Sequence, residues 1–378
     1  MRIQSVELRR VGMSLVAPFE TSFGVQTERD ILLLRAVTDV GEGWGECVAG
    51  EEPTYSPEYV DGAQQVLVQH LLPRLMSDAE LATAADVARR LKPVHGHQMA
   101  KAAIEMAVLD AELRSRGESF GHFFGAVRPA VDCGVSVGIH KTIPELLDTV
   151  GGYLEQGYRR IKLKIKPGWD VDAVRAVRDR FGRVPLQVDA NTAYTPGDAA
   201  RLAELDPYDL LLIEQPLPEE QVLAHAELAR KVRTPICLDE SIHSAQAAAD
   251  AIALGACRII NVKPGRVGGY LEAMKIHDLC AERGVPVWMG GMLETGIGRA
   301  GNVAMAAMPN FTLPGDTSAS ERYYKRDITE PFVLRDGRLA VPEGPGLGVS
   351  VDMEYLDSIT TWKETVVGDR ARQDSPRA

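Results

Sequence analysis

Five short apolar runs, each ending in a charged residue, organise the stretch from Lys162 to Lys263: RRIKLKIKPG (159–168), PLQVDAN (185–191), LLLIEQP (210–216), PICLDES (235–241) and RIINVKPG (258–265). The charged residues lie 25, 25, 25 and 24 positions apart and are Lys164, Asp189, Glu214, Asp239 and Lys263. One strand, one helix and two loops occupy about this length in a βα unit. The pattern therefore predicts five successive parallel strands with these side chains at their carboxyl ends, where (β/α) barrels place their chemistry.

The rest of the chain is predicted to complete a modified (β/α)8 barrel of the TIM type with an α+β capping domain. CGVSVGI (133–139) is the predicted first strand, VPVWMGG (285–291) the seventh and FTLPGD (311–316) the eighth, with helical sequences between the strands. We expect residues 1–125 to form the capping domain and 126–320 the barrel. Residues 321–365, which include a predicted hairpin, should return to the capping domain, and 366–378 read as a disordered polar tail.

Within the capping domain, strands are predicted over 3–10, 31–37 and 43–48 and helices over 57–75, 81–91 and 99–116. The segment between the first two strands, LVAPFETSFGVQ (15–26), is punctuated by proline and glycine. This punctuation predicts a loop, which would carry Phe19, Ser22 and Phe23.

Composition excludes several classes of partner. The net charge of −11 argues against nucleic acid or an anionic membrane, although a locally cationic site could still bind a small anionic substrate. The first residues, MRIQSVELRRVGM, lack the apolar core of a signal peptide, and no uncharged apolar run reaches the ~18 residues of a membrane span. Five scattered cysteines favour reduced thiols over a disulfide framework, so we expect a cytoplasmic protein.

Asp189, Glu214 and Asp239 form a candidate metal site made only of carboxylates. An oxygen-only ligand set favours Mg²⁺ or Mn²⁺ over Zn²⁺. Strand-end acids can also simply cap the helix that follows, since carboxylates favour helix N-termini. Three acids in one register, with a lysine in the same register on each side, favour the metal site.

Lys164 and Lys263 are the candidate acid/base groups. In the run RRIKLKIK the basic residues alternate with apolar ones, so the basic set should face the barrel interior and the apolar set the helices. A proton next to a carboxylate is very weakly acidic, and a divalent cation stabilises the dianionic enediolate left by its removal. An amine then suffices as base if a nearby cation lowers its pKa, and Lys162 could supply one such charge.

These residues carry a resemblance to the muconate-lactonising subgroup of the enolase superfamily. The sequence motifs that carry the resemblance are K-L-K at 162–164, the Asp/Glu/Asp triplet, D-E-S at 239–241 and K-P-G at 263–265. Six longer segments resemble the o-succinylbenzoate synthase/N-acylamino acid racemase family: LKIKPGWD, QVDANTAY, LLIEQPL, CLDES, KPGRVGG and GGMLETGIGRA. APFETSFG near the start and LPGDTSAS near the end extend the resemblance over nearly the whole chain.

The resemblance implies roles for single residues. Lys164 and Lys263 would be the opposed acid/base pair, and the three acids would bind Mg²⁺, Mn²⁺ or another divalent metal. Capping-domain loops would close over the substrate. The residues implied to bind substrate are Lys162, Asn191, Phe19, Ser22, Phe23, Gly291, Met292 and Leu293.

The resemblance also implies a reaction. It is the syn-dehydration of 2-succinyl-6-hydroxy-2,4-cyclohexadiene-1-carboxylate to o-succinylbenzoate in menaquinone biosynthesis, together with racemisation of N-acylamino acids such as N-succinylamino acids. Both reactions begin with removal of an α-proton. Alternatives are a dipeptide epimerase or a muconate-type cycloisomerase with the same central residues, and more distantly a non-catalytic binding protein on this fold. The resemblance further implies a homo-oligomer.

Overall fold

An antiparallel sheet begins the chain in the computed structural model, which describes residues 1–76, 81 and 83–368. Its first strands are β1 (Ile3–Thr21), β2 (Gly24–Thr38) and β3 (Gly41–Cys47). The predicted loop over 15–26 is wrong, because β1 and β2 continue as a long hairpin to the pair Thr21–Gly24. The register shifts between Ser14 and Phe19, and this irregularity accommodates Pro18, which has no N–H to donate.

Helical segments follow this sheet in the capping domain. They are α1 (Val60–Val66), which continues through a π-helical turn (Leu67–Leu71) into α2 (Leu72–Leu75), then α3 (Ala85–Leu91), α4 (Gln98–Arg116) and α5 (Phe120–Phe124). The helix α4 lies directly on β3 at two glycines. A Cβ at Gly43 would lie 2.2 Å from the carbonyl oxygen of Ala107, and one at Gly45 would lie 2.0 Å from that of Ala103. These glycines therefore allow the close approach that docks the helix on the sheet.

A parallel sheet of seven strands, in sequence order, forms most of the barrel. Its strands are β5 (Gly134–Val137), β6 (Arg160–Lys164), β7 (Leu186–Asp189), β8 (Ile213–Glu214), β9 (Ile236–Leu238), β10 (Ile259–Val262) and β11 (Val287–Met289); a short β4 (Ala130–Asp132) precedes them. In the pairing register Lys164 lies beside Asp189, and Asp189 lies beside Glu214. The predicted strand ends thus meet at one edge of the sheet, and this confirms the predicted barrel with its capping domain.

The eighth barrel position is closed without a regular strand. Phe311 bridges Val287 of β11, and Gly315 bridges Cys133 just before β5, both in parallel orientation. Pro314 lies between these two bridges and cannot donate a backbone hydrogen bond. The segment 311–316 therefore closes the barrel through isolated bridges.

Helices follow the strands around the outside. They are α6 (Ile143–Glu155), α7 (Val171–Phe181), α8 (Ala199–Ala203), α9 (Val222–Leu228), α10 (Ala245–Leu254), α11 (Pro264–Val267), α12 (Tyr270–Glu282) and α13 (Gly296–Ala306). Ile161, Leu163 and Ile165 are buried towards this layer, whereas Lys162 and Lys164 share the opposite face of β6. The alternation predicted for this strand is therefore present.

The C-terminal part contacts both units. β12 (Arg338–Ala340) pairs with β4, so the predicted hairpin does not itself join the capping sheet. After α14 (Met353–Ile359), β13 (Thr360–Val367) pairs with β1 and gives the capping sheet its fourth strand. Val366 and Val367 lie in this strand, opposite Val6 and Ser5, so the predicted disordered tail cannot begin at 366. The rest of that tail, 369–378, lies outside the described residues.

One buried apolar cluster runs through both units and includes Leu34 of β2, Leu113 of α4 and Val188 of β7. A second, small cluster fills the barrel interior with Leu212, Cys237, Ile259 and Trp288. Across the described ranges, no helix has the length and apolar character that crossing a bilayer requires.

Candidate active site

The basic face of β6 lies inside the barrel, among carboxylates from neighbouring strands. The Lys162 ammonium lies 2.7 Å from Asp316, 3.0 Å from Glu214 and 3.2 Å from Asp189. The Lys164 ammonium donates to Asp189 at 2.7 Å and to the Asn191 side-chain oxygen at 2.6 Å. Buried lysine is costly without such partners, and their presence explains how this strand tolerates its charges.

These contacts change the acidity of the groups involved. Burial alone would raise the pKa of Asp189, but the Lys164 and Lys162 ammonium groups hold it well below its usual value. Burial opposes the charged form of Lys162, yet Asp316, Glu214 and Asp189 raise its pKa above the usual range. In this arrangement Lys162 is a fixed cation among fixed anions.

On the other side of the barrel, Asp239 and Lys263 pair with each other. The Lys263 ammonium donates to Asp239 at 2.8 Å and to the Tyr55 hydroxyl at 3.0 Å. The Tyr55 hydroxyl also donates to Asp239 at 3.2 Å, and Arg266 pairs with the second oxygen of Asp239. Burial opposes the charged form of Lys263, but Tyr55, Glu214 and Glu240 raise its pKa above the usual range.

The three predicted metal ligands fit a hard divalent cation by their chemistry. Asp189 and Glu214 are buried carboxylates at the ends of β7 and β8, and the buried Asp239 directly follows β9. Their oxygens contact ammonium and guanidinium groups, and among the described residues no three His, Cys, Asp or Glu side chains converge on a common point. A cation bound between these carboxylates would have to displace part of that pairing.

A cavity of about 350 Å³ lies above these residues, between the barrel and the capping domain. Both predicted acid/base residues, Lys164 and Lys263, line it. Six of the residues predicted to bind substrate also line it: Asn191, Phe19, Phe23, Gly291, Met292 and Leu293. Two predicted substrate-binding residues do not line it. Lys162 lies beneath it among the carboxylates, and the Ser22 hydroxyl donates to the Asn191 carbonyl oxygen at 3.0 Å.

A larger cavity, of about 720 Å³, lies beside the first and shares Tyr55 with it. Its lining includes Glu240 and Arg266 but neither Lys164 nor Lys263. Because the reacting groups face the smaller cavity, that cavity is the candidate active site.

The loop after β11 has an unusual backbone where it lines the cavity. Leu293 has φ 59°, a left-handed conformation that a branched side chain seldom adopts. Outside groups hold the loop: the Tyr324 hydroxyl donates to the Leu293 carbonyl at 2.5 Å, and Arg299 donates to that of Glu294 at 2.8 Å. Glu46 of the capping domain accepts from the Thr295 N–H at 3.0 Å. Such conformations persist where the surroundings enforce them and are concentrated at functional sites.

Sequence reasoning missed four residues of the site. Asp316 ends the eighth barrel segment as the other charged residues end theirs, so the same register argument would have found it. Tyr55, Arg29 and Arg266 give no such signal. Tyr55 and Arg29 belong to the capping domain, and only the folded arrangement brings them to the cavity.

Comparison with known proteins agrees with this architecture. Residues 145–355 match the family model for an enolase C-terminal domain-like unit, and residues 3–125 match the N-terminal domain of mandelate racemase and muconate lactonizing enzyme. A solved enolase-superfamily structure from Listeria innocua superposes with a TM-score of 0.94 at 39% identity, covering 98% of this chain and all of that one.

Named relatives are similar over nearly the full length. An N-succinylamino acid racemase of Amycolatopsis sp is 67% identical, over 96% of this chain and 99% of the relative. An o-succinylbenzoate synthase of Geobacillus kaustophilus is 48% identical, over 95% of this chain and 96% of the relative. The chain therefore belongs to the muconate-lactonising subgroup of the enolase superfamily, in the o-succinylbenzoate synthase/N-succinylamino acid racemase family.

Proposed function

We propose that this protein is an o-succinylbenzoate synthase that also racemises N-succinylamino acids, both by removal of an α-proton. One observation carries the proposal: Lys164 and Lys263 line the same cavity from β6 and β10. Those strands are four positions apart in a barrel of eight, so the two amines approach a bound α-carbon from opposite sides. Opposed bases are what inversion at a carbon requires.

Membership of the enolase superfamily implies dependence on a divalent metal, and we propose Mg²⁺ or Mn²⁺ here. Asp189, Glu214 and Asp239 would hold it, since oxygen-only donors suit these ions. When bound, it would stabilise the negative charge that develops on the substrate carboxylate as the α-proton leaves.

In the proposed racemisation, the neutral amine on one face removes the α-proton and breaks the C–H bond. The ammonium group on the other face then delivers a proton to the same carbon, so the substrate keeps its composition and inverts its configuration. Lys162 stays charged throughout, and Asn191, which accepts from Lys164 at 2.6 Å, helps to aim that amine.

In the proposed dehydration, Lys164 serves as base and then as acid on one face of the ring. It removes the α-proton, and the electron pair of the C–H bond forms a new C=C bond as the C–O bond to the hydroxyl breaks. Lys164 returns the proton to the leaving hydroxide, which departs as water. Lys263 remains protonated and stabilises the anionic transition state.

The proposed substrate is a small anionic carboxylate, and a cytoplasmic location is proposed with it. All five cysteines are unpaired and buried, as suits reduced thiols.

A homo-oligomer is proposed from the family resemblance. Dipeptide epimerase and muconate cycloisomerase chemistry is not favoured. The chain is 25% identical to a dipeptide epimerase of Cytophaga hutchinsonii and 29% identical to a muconate cycloisomerase of Rhodococcus opacus, against 67% and 48% for the racemase and the synthase.

The test follows α-proton exchange in D₂O for each enantiomer of an N-succinylamino acid. Lys164→Ala and Lys263→Ala should both abolish racemisation, because base loss alone costs about 10²–10⁴-fold in rate. Each variant should still exchange only the enantiomer whose α-proton faces the remaining lysine. Lys263→Arg, which keeps the charge, should retain more dehydration than racemisation.

Lys166→Ala is the matched control, because Lys166 lies at the end of the same basic run but pairs with Glu20 at 3.1 Å and is 41% exposed. It should keep both activities. Wild-type protein that neither dehydrates nor racemises with Mg²⁺ present contradicts the proposed function. Equal loss of both activities in a folded Lys263→Arg protein contradicts the assigned roles of the two lysines.

A further inference from the structure

Arg29 is a charged residue of the capping domain that the proposed chemistry does not use. It lies in β2, and its side chain is only 4% exposed. It nevertheless lines the cavity that contains Lys164 and Lys263. A nearly buried guanidinium at a substrate cavity suggests recognition of an anion, because arginine matches carboxylate geometry with paired donors.

Few groups of the protein hydrogen-bond to the Arg29 guanidinium or balance its charge. One terminal nitrogen donates to the carbonyl oxygens of Val48 and Ala49 over long distances, 3.3 and 3.5 Å. The Nε atom is buried without a hydrogen-bond partner, and among the described residues no carboxylate lies within ion-pair distance of Arg29. Arg160 and Arg266, which are equally buried, pair with Asp316 and Asp239. A buried cation without a counter-ion is costly, so an external anion would restore the balance.

The surroundings favour a ligand in this part of the cavity. Thr21, Gln26 and Thr54 are neutral polar neighbours along the same wall. The nearest acidic lining residues, Glu51 and Glu52, are exposed, so solvent screens their charges. The positive charge of Arg29 therefore dominates the interior of this wall.

We propose that Arg29 binds the distal carboxylate of the substrate's acyl chain. This inference rests on the proposed function, which places the reacting carbon between Lys164 and Lys263. A succinyl group carries a second carboxylate away from that carbon, and Arg29 lies in the capping-domain wall of the same cavity. The residue would then select dicarboxylic acyl groups over neutral ones by donating hydrogen bonds that the charge of a carboxylate strengthens.

The experiment compares N-succinyl-phenylalanine with N-butyryl-phenylalanine, in which a methyl group replaces the distal carboxylate. The measured quantity is the ratio of the two kcat/KM values for racemisation in the Mg²⁺-loaded protein. Wild type should prefer the succinyl substrate, and Arg29→Gln should lower the ratio by about 10- to 100-fold, the usual effect of losing charged hydrogen bonds. Arg29→Lys, which keeps the charge but loses the paired donors, should give an intermediate ratio.

Arg35→Gln is the matched control. Arg35 lies in the same strand but faces Glu42 and the Trp44 ring, outside the cavity. Its substitution tests whether loss of any arginine from this sheet changes selectivity, and the ratio should stay at the wild-type value. An unchanged ratio in folded Arg29→Gln protein, or an equal fall in the Arg35→Gln control, overturns the proposal.

Two further measurements test the carboxylate-binding role of Arg29 separately from the proposed function. If Arg29→Gln does not fold, wild type is compared on N-succinyl- and N-succinamyl-phenylalanine, which differ only in the charge of the distal group; equal kcat/KM values overturn the inference. If wild type racemises neither substrate, calorimetric binding of the same compounds decides. A wild-type preference for binding the succinyl compound that is smaller in Arg29→Lys and absent in Arg29→Gln supports the carboxylate-binding role of Arg29, although the proposed function has failed. Equal binding of the compounds by wild type overturns it.

Discussion

At the level of single residues, the site consists of opposite charges placed one strand apart. Lys164 pairs with Asp189 on the next strand, and Lys263 pairs with Asp239 on the preceding one. Each contact stabilises a charge that would otherwise be expensive to bury. The same contacts hold the two amines at the cavity, so both folding and the proposed catalysis require these lysine–carboxylate pairs.

Asp239→Asn should weaken metal binding at least about tenfold, because the variant removes one negative charge from the ligand set. Asp316→Asn is the control, since Asp316 is also buried and pairs with Lys162 and Arg160 but is not a proposed ligand. Both variants should lower the melting temperature. Only Asp239→Asn should change a Mg²⁺ titration followed by calorimetry, and an equal loss of affinity in both proteins would remove Asp239 from the ligand set.

Tyr55→Phe should slow catalysis about 5- to 100-fold, the effect of losing the two buried hydrogen bonds that the hydroxyl forms with Lys263 and Asp239. The hydroxyl accepts from Lys263 at 3.0 Å, whereas the ring, 4.6 Å from the ammonium, remains in the variant. Exchange in D₂O should therefore slow more for the enantiomer that faces Lys263 than for the one that faces Lys164. Tyr59→Phe, at an exposed tyrosine of the same segment, should leave both exchange rates unchanged.

The sequence predicts some of these residues and not others for a physical reason. Lys164, Asp189, Glu214, Asp239 and Lys263 follow from a local repeat, because each ends an apolar run of strand length. Arg29 and Tyr55 are far from them in sequence; Tyr55 contacts Lys263 across 208 positions. Docking of two units creates that contact, and no periodicity in either unit encodes it.

Among the elements, the differences from prediction occur where pairing overrides local sequence. Pro18 and Gly24 interrupt the alternation of β1 and β2, yet the hairpin continues past its bulge because each strand finds a partner. β13 includes Val366 and Val367 for the same reason, since β1 offers an unpaired edge there. In contrast, Pro314 limits the eighth barrel segment to bridges, although its position in the repeat predicts a strand.

His225 of α9 gives the barrel a defined pH dependence. Its Nε2 accepts from the Leu217 N–H at 3.2 Å and its Nδ1 donates to the Gln221 carbonyl at 2.9 Å, so the ring must be neutral. Burial lowers its pKa from 6.5 to about 4. Below pH 6.5 the unfolded chain therefore binds a proton at His225 that the folded protein does not bind. The contribution of neutral His225 to the free energy of unfolding is present above pH 6.5 and is lost as the pH falls towards 4.

Between pH 7 and pH 5, this group should reduce the free energy of unfolding by up to about 2 kcal/mol, at ~1.4 kcal/mol per pH unit. His225→Asn, which does not titrate, should be less stable at pH 7 but should lose less stability on acidification. Urea unfolding of both proteins at the two pH values measures the difference. Parallel losses in the two proteins would show that His225 does not titrate as its contacts predict.

Glu46 of β3 connects the capping domain to the start of α13. Its carboxylate accepts from the Thr295 N–H at 3.0 Å, the Thr295 hydroxyl at 2.7 Å and the Gly298 N–H at 2.9 Å. Burial and the nearby Glu294 raise its pKa to about 7, so measurement at pH 8 ensures ionisation. Glu46→Gln should destabilise the protein by about 1–3 kcal/mol, because an amide cannot accept all three bonds.

The same variant should raise KM several-fold, because the clamped loop presents Leu293 to the cavity. Glu42→Gln is the control, since Glu42 lies in the same strand but forms only an exposed pair with Arg35, which is worth at most about 1 kcal/mol. Denaturant unfolding and initial rates at pH 8 give both quantities. A stability loss with unchanged KM would limit Glu46 to a structural role.

For the whole molecule, the cavity depends on both units and on both ends of the described chain. The reacting lysines come from the barrel, Arg29 and Tyr55 come from the capping domain, and Tyr324 from the C-terminal part holds the loop at Leu293. The large apolar core is continuous across the units, and only a small second cluster belongs to the barrel interior among the described residues. The sequence predicts the barrel because its repeat is local, but it leaves the relative placement of the units to the family resemblance.

This continuity predicts that the capping sheet and the barrel unfold together. β13 covers the outer edge of β1 over the pairs from Ser5–Val367 to Val11–Thr360. A chain ending at 359 should therefore melt several degrees below a chain ending at 368, since both lack 369–378 and differ only in this strand. The newly exposed edge of β1 should also promote association on heating, because unpaired strand edges recruit other chains.

Calorimetry should show a single transition for both proteins, shifted to lower temperature in the shorter one, because loss of the fourth strand weakens a sheet whose core is shared with the barrel. Racemase activity should disappear with the same midpoint, since Arg29 and Tyr55 reach the cavity only while the sheet is docked. Two separate transitions in the shorter chain, with the barrel melting at its original temperature, would mean that the barrel holds its structure without the capping domain.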